Sequence, residues 1–127
     1  MTASSKVVYV AAPMVTYYTD RYERNRERIT ELFPGAELIC PPDGPLYPDG
    51  RTFSATFREH VVSCTDLVCF ADEDGFLGRG TVTEIAYALR HGKAVWHLTD
   101  GGDLEPEPAV VIVDPGDPFE HAVIVTE

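Results

Sequence analysis

The segment richest in reactive groups runs from 72 to 84: Asp-Glu-Asp-Gly-Phe-Leu-Gly-Arg-Gly-Thr-Val-Thr-Glu. Gly78 and Gly80 would let the backbone approach a ligand closely. A helix beginning here offers unpaired N–H groups and a partial positive charge, and Arg79 adds a fixed cation beside them. That combination suits a phosphate or a carboxylate; an ordinary turn with left-handed glycines is the alternative. Glu84 follows in the first turn of the expected helix, next to an apolar stripe of Ile85, Ala88 and Leu89. A carboxylate at a helix start is expected to be ionised, because the terminus favours the anion. An ionised carboxylate is what covalent glycosyl transfer requires, to attack an anomeric carbon or to stabilise an oxocarbenium-like state.

Other chemistry has weaker support. His60, His91, His97 and His121 show no ligand spacing with one another or with cysteine, so no metal is expected. Asp72-Glu73-Asp74 lacks a calcium-loop pattern. The first apolar run is followed by Ala-Ala-Pro-Met and not by G-x-G-x-x-G, so no dinucleotide cofactor is expected either. Cys40, Cys64 and Cys69 are an odd set without a C-x-x-C pair, and Cys64 and Cys69 read as small buried side chains in a cytoplasmic protein. The chain holds 10 Lys+Arg against 21 Asp+Glu, a formal charge of −11. Such a surface opposes binding to polymeric nucleic acid and to anionic membranes. Residues 61–127 hold 3 of the basic and 13 of the acidic side chains, most of them read as solvated surface.

The elements that must position these groups alternate in kind. At 127 residues the chain is one domain. Lys6–Ala12 is continuously apolar and β-branched, the pattern of a buried parallel strand. Thr19, Asp20 and Glu23 mark a helix start, and Pro34-Gly35 its end. Ala36–Cys40 is a second strand, 41–51 a Pro/Gly-rich loop, and 53–64 a second helix with Phe53, Phe57, Val61 and Cys64 on one face. Asp66–Ala71 is a third strand, Thr81–Arg90 a third helix closed by Gly92, and Ala94–Leu98 a fourth strand. Residues 99–108 are expected to be irregular, Ala109–Asp114 a fifth strand, and His121–Val125 either a strand or part of a helix. This order predicts an α/β, Rossmann-like or flavodoxin-like domain with a five-stranded, mostly parallel sheet flanked by helices. Ligands of such sheets sit at the carboxyl ends of the strands, here Ala12–Tyr18, Asp72–Gly80 and the chain from Thr99 onward.

Two stretches carry a resemblance. V-Y-V-A-A-P-M at 8–14, and R-G-T-V-T-E-I-A-Y-A-L at 79–89 followed by G-K-A-V at 92–95, resemble the first-strand and central motifs of the nucleoside 2-deoxyribosyltransferase family. The likeness spans about residues 6–98. It implies that Glu84 is the nucleophile, forming a ribosyl ester and releasing the base, and that Tyr9 hydrogen-bonds and orients it. It implies that Pro13 and Met14 cover the sugar or base, and that Gly80 and Thr81 line the 5′ side of the sugar. One branch of the family passes the sugar to another base; the other acts on 5′-monophosphates and passes it to water. A neighbouring subunit completes each site, so a homodimer or higher homo-oligomer is implied. Two aspartates usual in the family are replaced here by Arg58 and Gly78. Asp72 and Asp74 are candidates to take over protonation of the leaving base.

Arg79 favours a nucleotide over a free nucleoside, and Tyr17 and Tyr18 stand where they would stack on a base or simply pack the loop. Arg21, Arg24 and Arg28 form either a second basic face or pairs with Glu23, Glu27 and Glu31 on an exposed helix. Two readings therefore stand beside N-glycosidic cleavage of a small nucleoside or nucleotide: a non-catalytic nucleotide-binding module, and an unrelated interaction domain.

Overall fold

The computed structural model describes residues 5–43, 53–106, 108–112 and 122–125. In chain order the elements are β1 (Val7–Ala11), α1 (Asp20–Leu32), β2 (Glu37–Ile39), α2 (Phe53–Ser63), β3 (Asp66–Cys69), α3 (Arg79–Arg90), β4 (Ala94–Leu98), β5 (Leu104–Pro106), β6 (Ala109–Ile112) and β7 (Ala122–Val125). Five strands form one sheet in the order β2-β1-β3-β4-β5. The first four are parallel to their neighbours, and β5 runs antiparallel to β4.

The continuous apolar runs of β1 and β3 arise because both faces of the sheet are covered. Val8, Val10, Val68 and Phe70 pack on the α1 side with Tyr22, Ile29 and Phe33. Tyr9, Ala11, Leu67 and Cys69 pack on the other side with Val61, Ile85 and Ala88 from α2 and α3. Helix α1 begins at Thr19, whose hydroxyl accepts the Tyr22 N–H at 3.3 Å. Such a cap stabilises by about 1 kcal/mol.

The expected α/β sheet is present, but its fifth strand is not the expected one. Residues 99–108 contain strand β5. Gly102, at φ +87°, turns the chain, with its N–H on the Thr99 carbonyl and the Thr99 N–H on Asp103. So tight a reversal permits only antiparallel pairing. Arg28 Nε donates to the Gly102 carbonyl at 2.8 Å and Arg21 pairs with Asp100 at 2.9 Å, tying the turn to α1. The expected fifth strand, β6, instead pairs with β7 in a separate two-stranded sheet. The tail segment left open between strand and helix is therefore a strand. The expected loop at 41–51 opens with a 3-10 turn at Pro41–Asp43; its residues 44–51 lie outside the described residues.

Cys40, Cys64 and Cys69 are buried thiols, and burial pushes the Cys69 thiol up to about 12. Among the described residues no helix is long and apolar enough to cross a membrane.

Asp66, at the start of β3, is buried and accepts from Lys6 Nζ at 3.1 Å and Trp96 Nε1 at 3.0 Å. Burial alone would raise its pKa, but hydrogen bonding from Thr65, Trp96 and Lys6 outweighs this and holds the carboxyl below its ordinary value. A depressed pKa adds stability above the unfolded-state value, and that stability is lost as pH falls through the folded-state value. Asp66→Ala should therefore cost about 1–3 kcal/mol at pH 7, since it removes the acceptor of the part-buried Trp96 indole N–H and an ion-pair partner of the half-exposed Lys6. Denaturant unfolding at a series of pH values checks this: the gap to wild type should narrow below about pH 4, and a gap independent of pH would be inconsistent with an ionised Asp66.

Candidate functional site

The site is built where the ends of β1 and β3 meet the start of α3. Parallel strands present their carboxyl ends together, and β1 and β3 are adjacent, so the loops that follow them share one edge of the sheet. Tyr9 lies on β1 with its side chain toward α3, and its hydroxyl donates a hydrogen bond to Glu84 Oε2. Tyr9 is 0 % exposed and Glu84 is 9 % exposed.

Burial pushes Glu84 up to about 7, while the Tyr9 hydrogen bond pulls the other way. Burial also raises Tyr9, and the neighbouring Glu84 charge raises it further, so the phenol remains a donor. The expectation that the helix start keeps Glu84 fully ionised is thus corrected. Helix α3 begins at Arg79, with no acidic residue in its first turn, so Glu84 lies in the second turn. The helix dipole is worth about 0.3–1 kcal/mol and fades beyond the first turn. Moving a carboxyl from its ordinary value to about 7 corresponds to about 3 kcal/mol, so desolvation wins. The apolar stripe is also narrower than expected: Ile85 and Ala88 are buried, whereas Leu89 is 47 % exposed.

Thr81 stands one turn before Glu84 on the same helix face. It is buried, and among the described residues its hydroxyl has no hydrogen-bond partner. Gly78 caps α3 without a side-chain bond, at φ −82°. The left-handed glycine of this loop is Gly75, at φ +87°. A Cβ on Gly78 or Gly80 would meet nothing within 4 Å. Among the described residues, neither backbone conformation nor internal packing therefore demands glycine at these two positions, and the helix start is open. Arg79, the first residue of α3, is exposed beside them.

The loop after β1 makes a 3-10 turn at Met14–Thr16, held by the Pro13 carbonyl, which accepts the Thr16 N–H and hydroxyl. Pro13 is buried; Met14 is 73 % exposed. The Tyr17 ring packs edge-on against Tyr22 at 5.6 Å. Its phenol is raised first by burial and next by the charge of Glu84, which places Tyr17 within electrostatic reach of the carboxylate. Sequence reasoning considered Tyr17 only for stacking or packing and missed this neighbour. Tyr18 is exposed, takes φ +64°, and its hydroxyl donates to the Pro42 carbonyl at 3.0 Å.

Asp72 Oδ1 accepts the Asp74 and Phe76 N–H groups, each at 2.9 Å, so this carboxylate closes its own loop. With Val15, Thr16, Thr19, Arg21, Glu73 and Asp74 it lines a cavity of about 240 Å³ that Glu84 does not line. Arg58 stacks over the Phe57 and Tyr87 rings at 5.6 and 6.0 Å, on the α2–α3 surface. Arg21 donates to the Ala71 carbonyl and pairs with Asp100, and Arg28 pairs with Glu31, so these two arginines serve packing and ion pairing. Among the described residues no group of three His, Cys, Asp or Glu is placed to hold a metal ion.

Against known proteins, the fold finds a counterpart. A solved structure, a 2-desoxiribosyltransferase from Leishmania mexicana, superposes with a TM-score of 0.53 at 18% identity, covering 79% of this chain and 78% of that one. This chain shares its fold. No protein-family model and no curated protein matches the sequence.

The raised pKa of Glu84 has a stability consequence. A carboxyl whose folded-state pKa is raised favours folding while protonated, and that stability is lost as pH rises from the unfolded value through about 7. Glu84→Gln, which cannot ionise, should therefore be more stable than wild type at pH 8 by about 1–3 kcal/mol, with the difference shrinking toward pH 5. Thermal or denaturant unfolding at both pH values measures it; a difference that does not change with pH would contradict a perturbed Glu84. Tyr9→Phe removes the one hydrogen bond that lowers Glu84, so its carboxyl should titrate above 7 by NMR.

Proposed function

We propose that this protein cleaves the N-glycosidic bond of a (deoxy)nucleoside or a nucleoside 5′-monophosphate, with Glu84 as the nucleophile. One observation carries the reading: a glutamate carboxyl in the apolar core, at the carboxyl edge of a parallel sheet, held by a buried phenol. A structural role for such a group is expensive, since burying a carboxyl costs stability and no cation among the described residues acts on this one. A carboxylate poised between its two protonation states and relieved of its charge on forming an ester accounts for the cost.

In this mechanism one Glu84 oxygen attacks the anomeric carbon as the carbon–nitrogen bond breaks, and the bonding electron pair leaves with the base, which takes up a proton. Tyr9 holds the carboxylate in the attacking orientation. Water or a second base then attacks the anomeric carbon of the ester and regenerates the carboxylate. The helix start at Gly78, Arg79 and Gly80, with the hydroxyl of Thr81 that has no partner among the described residues, receives the 5′ side of the sugar. Pro13 and Met14 cover the sugar or base. Asp72, or Asp74 beside it, delivers the proton to the leaving base; both lie on the loop that leads into α3 and line one cavity. The solved neighbour is, by its name, a desoxiribosyltransferase, which supports sugar transfer as the reaction class. Pairing of two copies belongs to the same reading, supported by the exposed Met14, Val15 and Tyr18 at the site's rim.

A second reading has specific support. Arg58 and Gly78 stand where the resembling family carries aspartates, which favours a module that binds a nucleotide without turnover. A chromatographic panel of nucleosides and 5′-monophosphates separates the two. Free base should appear with at least one substrate and fall by about 10³-fold or more in Glu84→Gln, as expected for loss of a nucleophile. Nucleotide binding with no base release would establish the second reading, and adding a second base distinguishes transfer from hydrolysis. Arg79→Ala should raise KM for monophosphates more than for nucleosides.

A further inference from the structure

The resemblance ends near residue 98, and nothing in it assigns a role to the C-terminal strands. The structure joins them to the site. Leu77, the residue before the α3 cap, directs both of its backbone groups to Ala122 of β7: its N–H donates to the Ala122 carbonyl at 2.7 Å, and its carbonyl accepts the Ala122 N–H at 3.1 Å. Both residues are 0 % exposed. Their side chains share one apolar cluster with Tyr9, Ile85 and Ala88, against which Val110 of β6 and Ile124 of β7 pack.

The loop from β3 to α3 is thus pinned at two points of different kinds. Its first part is closed internally, by Asp72 on the Asp74 and Phe76 amides. Its last part, which determines where α3 starts, is closed from outside, by β7. The helix has no side-chain cap of its own at Gly78. A two-stranded hairpin is at best marginal alone, so β6 and β7 also depend on this junction.

We propose that the β6–β7 hairpin is a clasp that positions the start of α3, and through it Glu84, against Tyr9 on β1. Ala122 is the positioning residue, acting through its backbone pair with Leu77. The consequence for activity rests on the nucleophilic reading of Glu84; the test below does not.

Native-state hydrogen exchange of the unaltered chain, at rising sub-denaturing denaturant, reads the coupling directly. The amides of Leu77, of Ala122 and of Val82, which bonds to the Gly78 carbonyl at the α3 start, should become exchangeable in one opening event. Separate openings, with Val82 protected after Leu77 and Ala122 have exchanged, would overturn the proposal. Two variants add a second readout. Ala122→Pro removes the N–H that Leu77 uses; it should speed Val82 exchange by tenfold or more and let the Glu84 carboxyl titrate closer to its ordinary range by NMR. Ile124→Ala thins the same cluster but keeps the backbone pair; it should lower Tm with the Glu84 titration unmoved. Equal effects of both variants on Glu84 would show mere packing and defeat the clasp, and if Ala122→Pro does not fold, exchange on the unaltered chain decides alone.

Discussion

The structure is organised around one hydrogen bond between two side chains that the core has taken out of water, Tyr9 on β1 and Glu84 on α3. A buried carboxyl without a cation beside it is tolerated only where something fixed donates to it. A phenol on a central strand meets that need because the strand cannot shift: β1 is paired on both sides, by β2 and β3. Helix α3 must then hold a constant position over the sheet. The shared cluster of Tyr9, Leu77, Ile85, Ala88 and Ala122 supplies that constraint.

The same constraint shapes the chemistry. With its carboxyl near 7, Glu84 stands between its two forms close to neutrality. In the proposed reaction the ionised form would act as the nucleophile, its charge poorly solvated, and the ester it would form carries no charge to bury. Stability and reactivity therefore pull in opposite directions at one residue, as is common where a site departs from the rules that the rest of a core obeys. The surrounding groups divide by function accordingly. Those that build the fold, Asp66 with Lys6 and Trp96, or Arg28 on the Gly102 carbonyl, have their hydrogen bonds satisfied internally. Among the described residues, the hydroxyl of Thr81, on the Glu84 face of α3, does not.

Much of this was legible in the residues. Unbroken apolar runs in β1 and β3 reported a sheet covered on both faces, and Thr19 marked the true start of α1. Glu84 and Tyr9 were legible as a pair through their motifs, because 75 residues separate them and local patterning cannot join them. The protonation state of Glu84 was not legible: it depends on how deeply the second turn of α3 is buried, a tertiary quantity. Strand β5 escaped because Leu-Glu-Pro has neither β-branched residues nor alternation. It is a short edge strand, where Pro106 is permitted, imposed by the Gly102 turn. The pairing of β7 with Leu77 was invisible for the reason that hid the Tyr9 contact, long separation, but with no motif to reveal it.

The central claim, that the buried Glu84 carboxylate becomes covalently bonded to a sugar, is tested most directly by trapping. A 2-fluoro-substituted nucleoside destabilises the oxocarbenium-like state and slows breakdown of an ester once formed. Incubation followed by intact-mass and peptide mass spectrometry should show one sugar added per chain, on the peptide carrying Glu84, and none in Glu84→Gln. Release of free base by the protein with no adduct on Glu84, or with an adduct on another residue, would contradict the account.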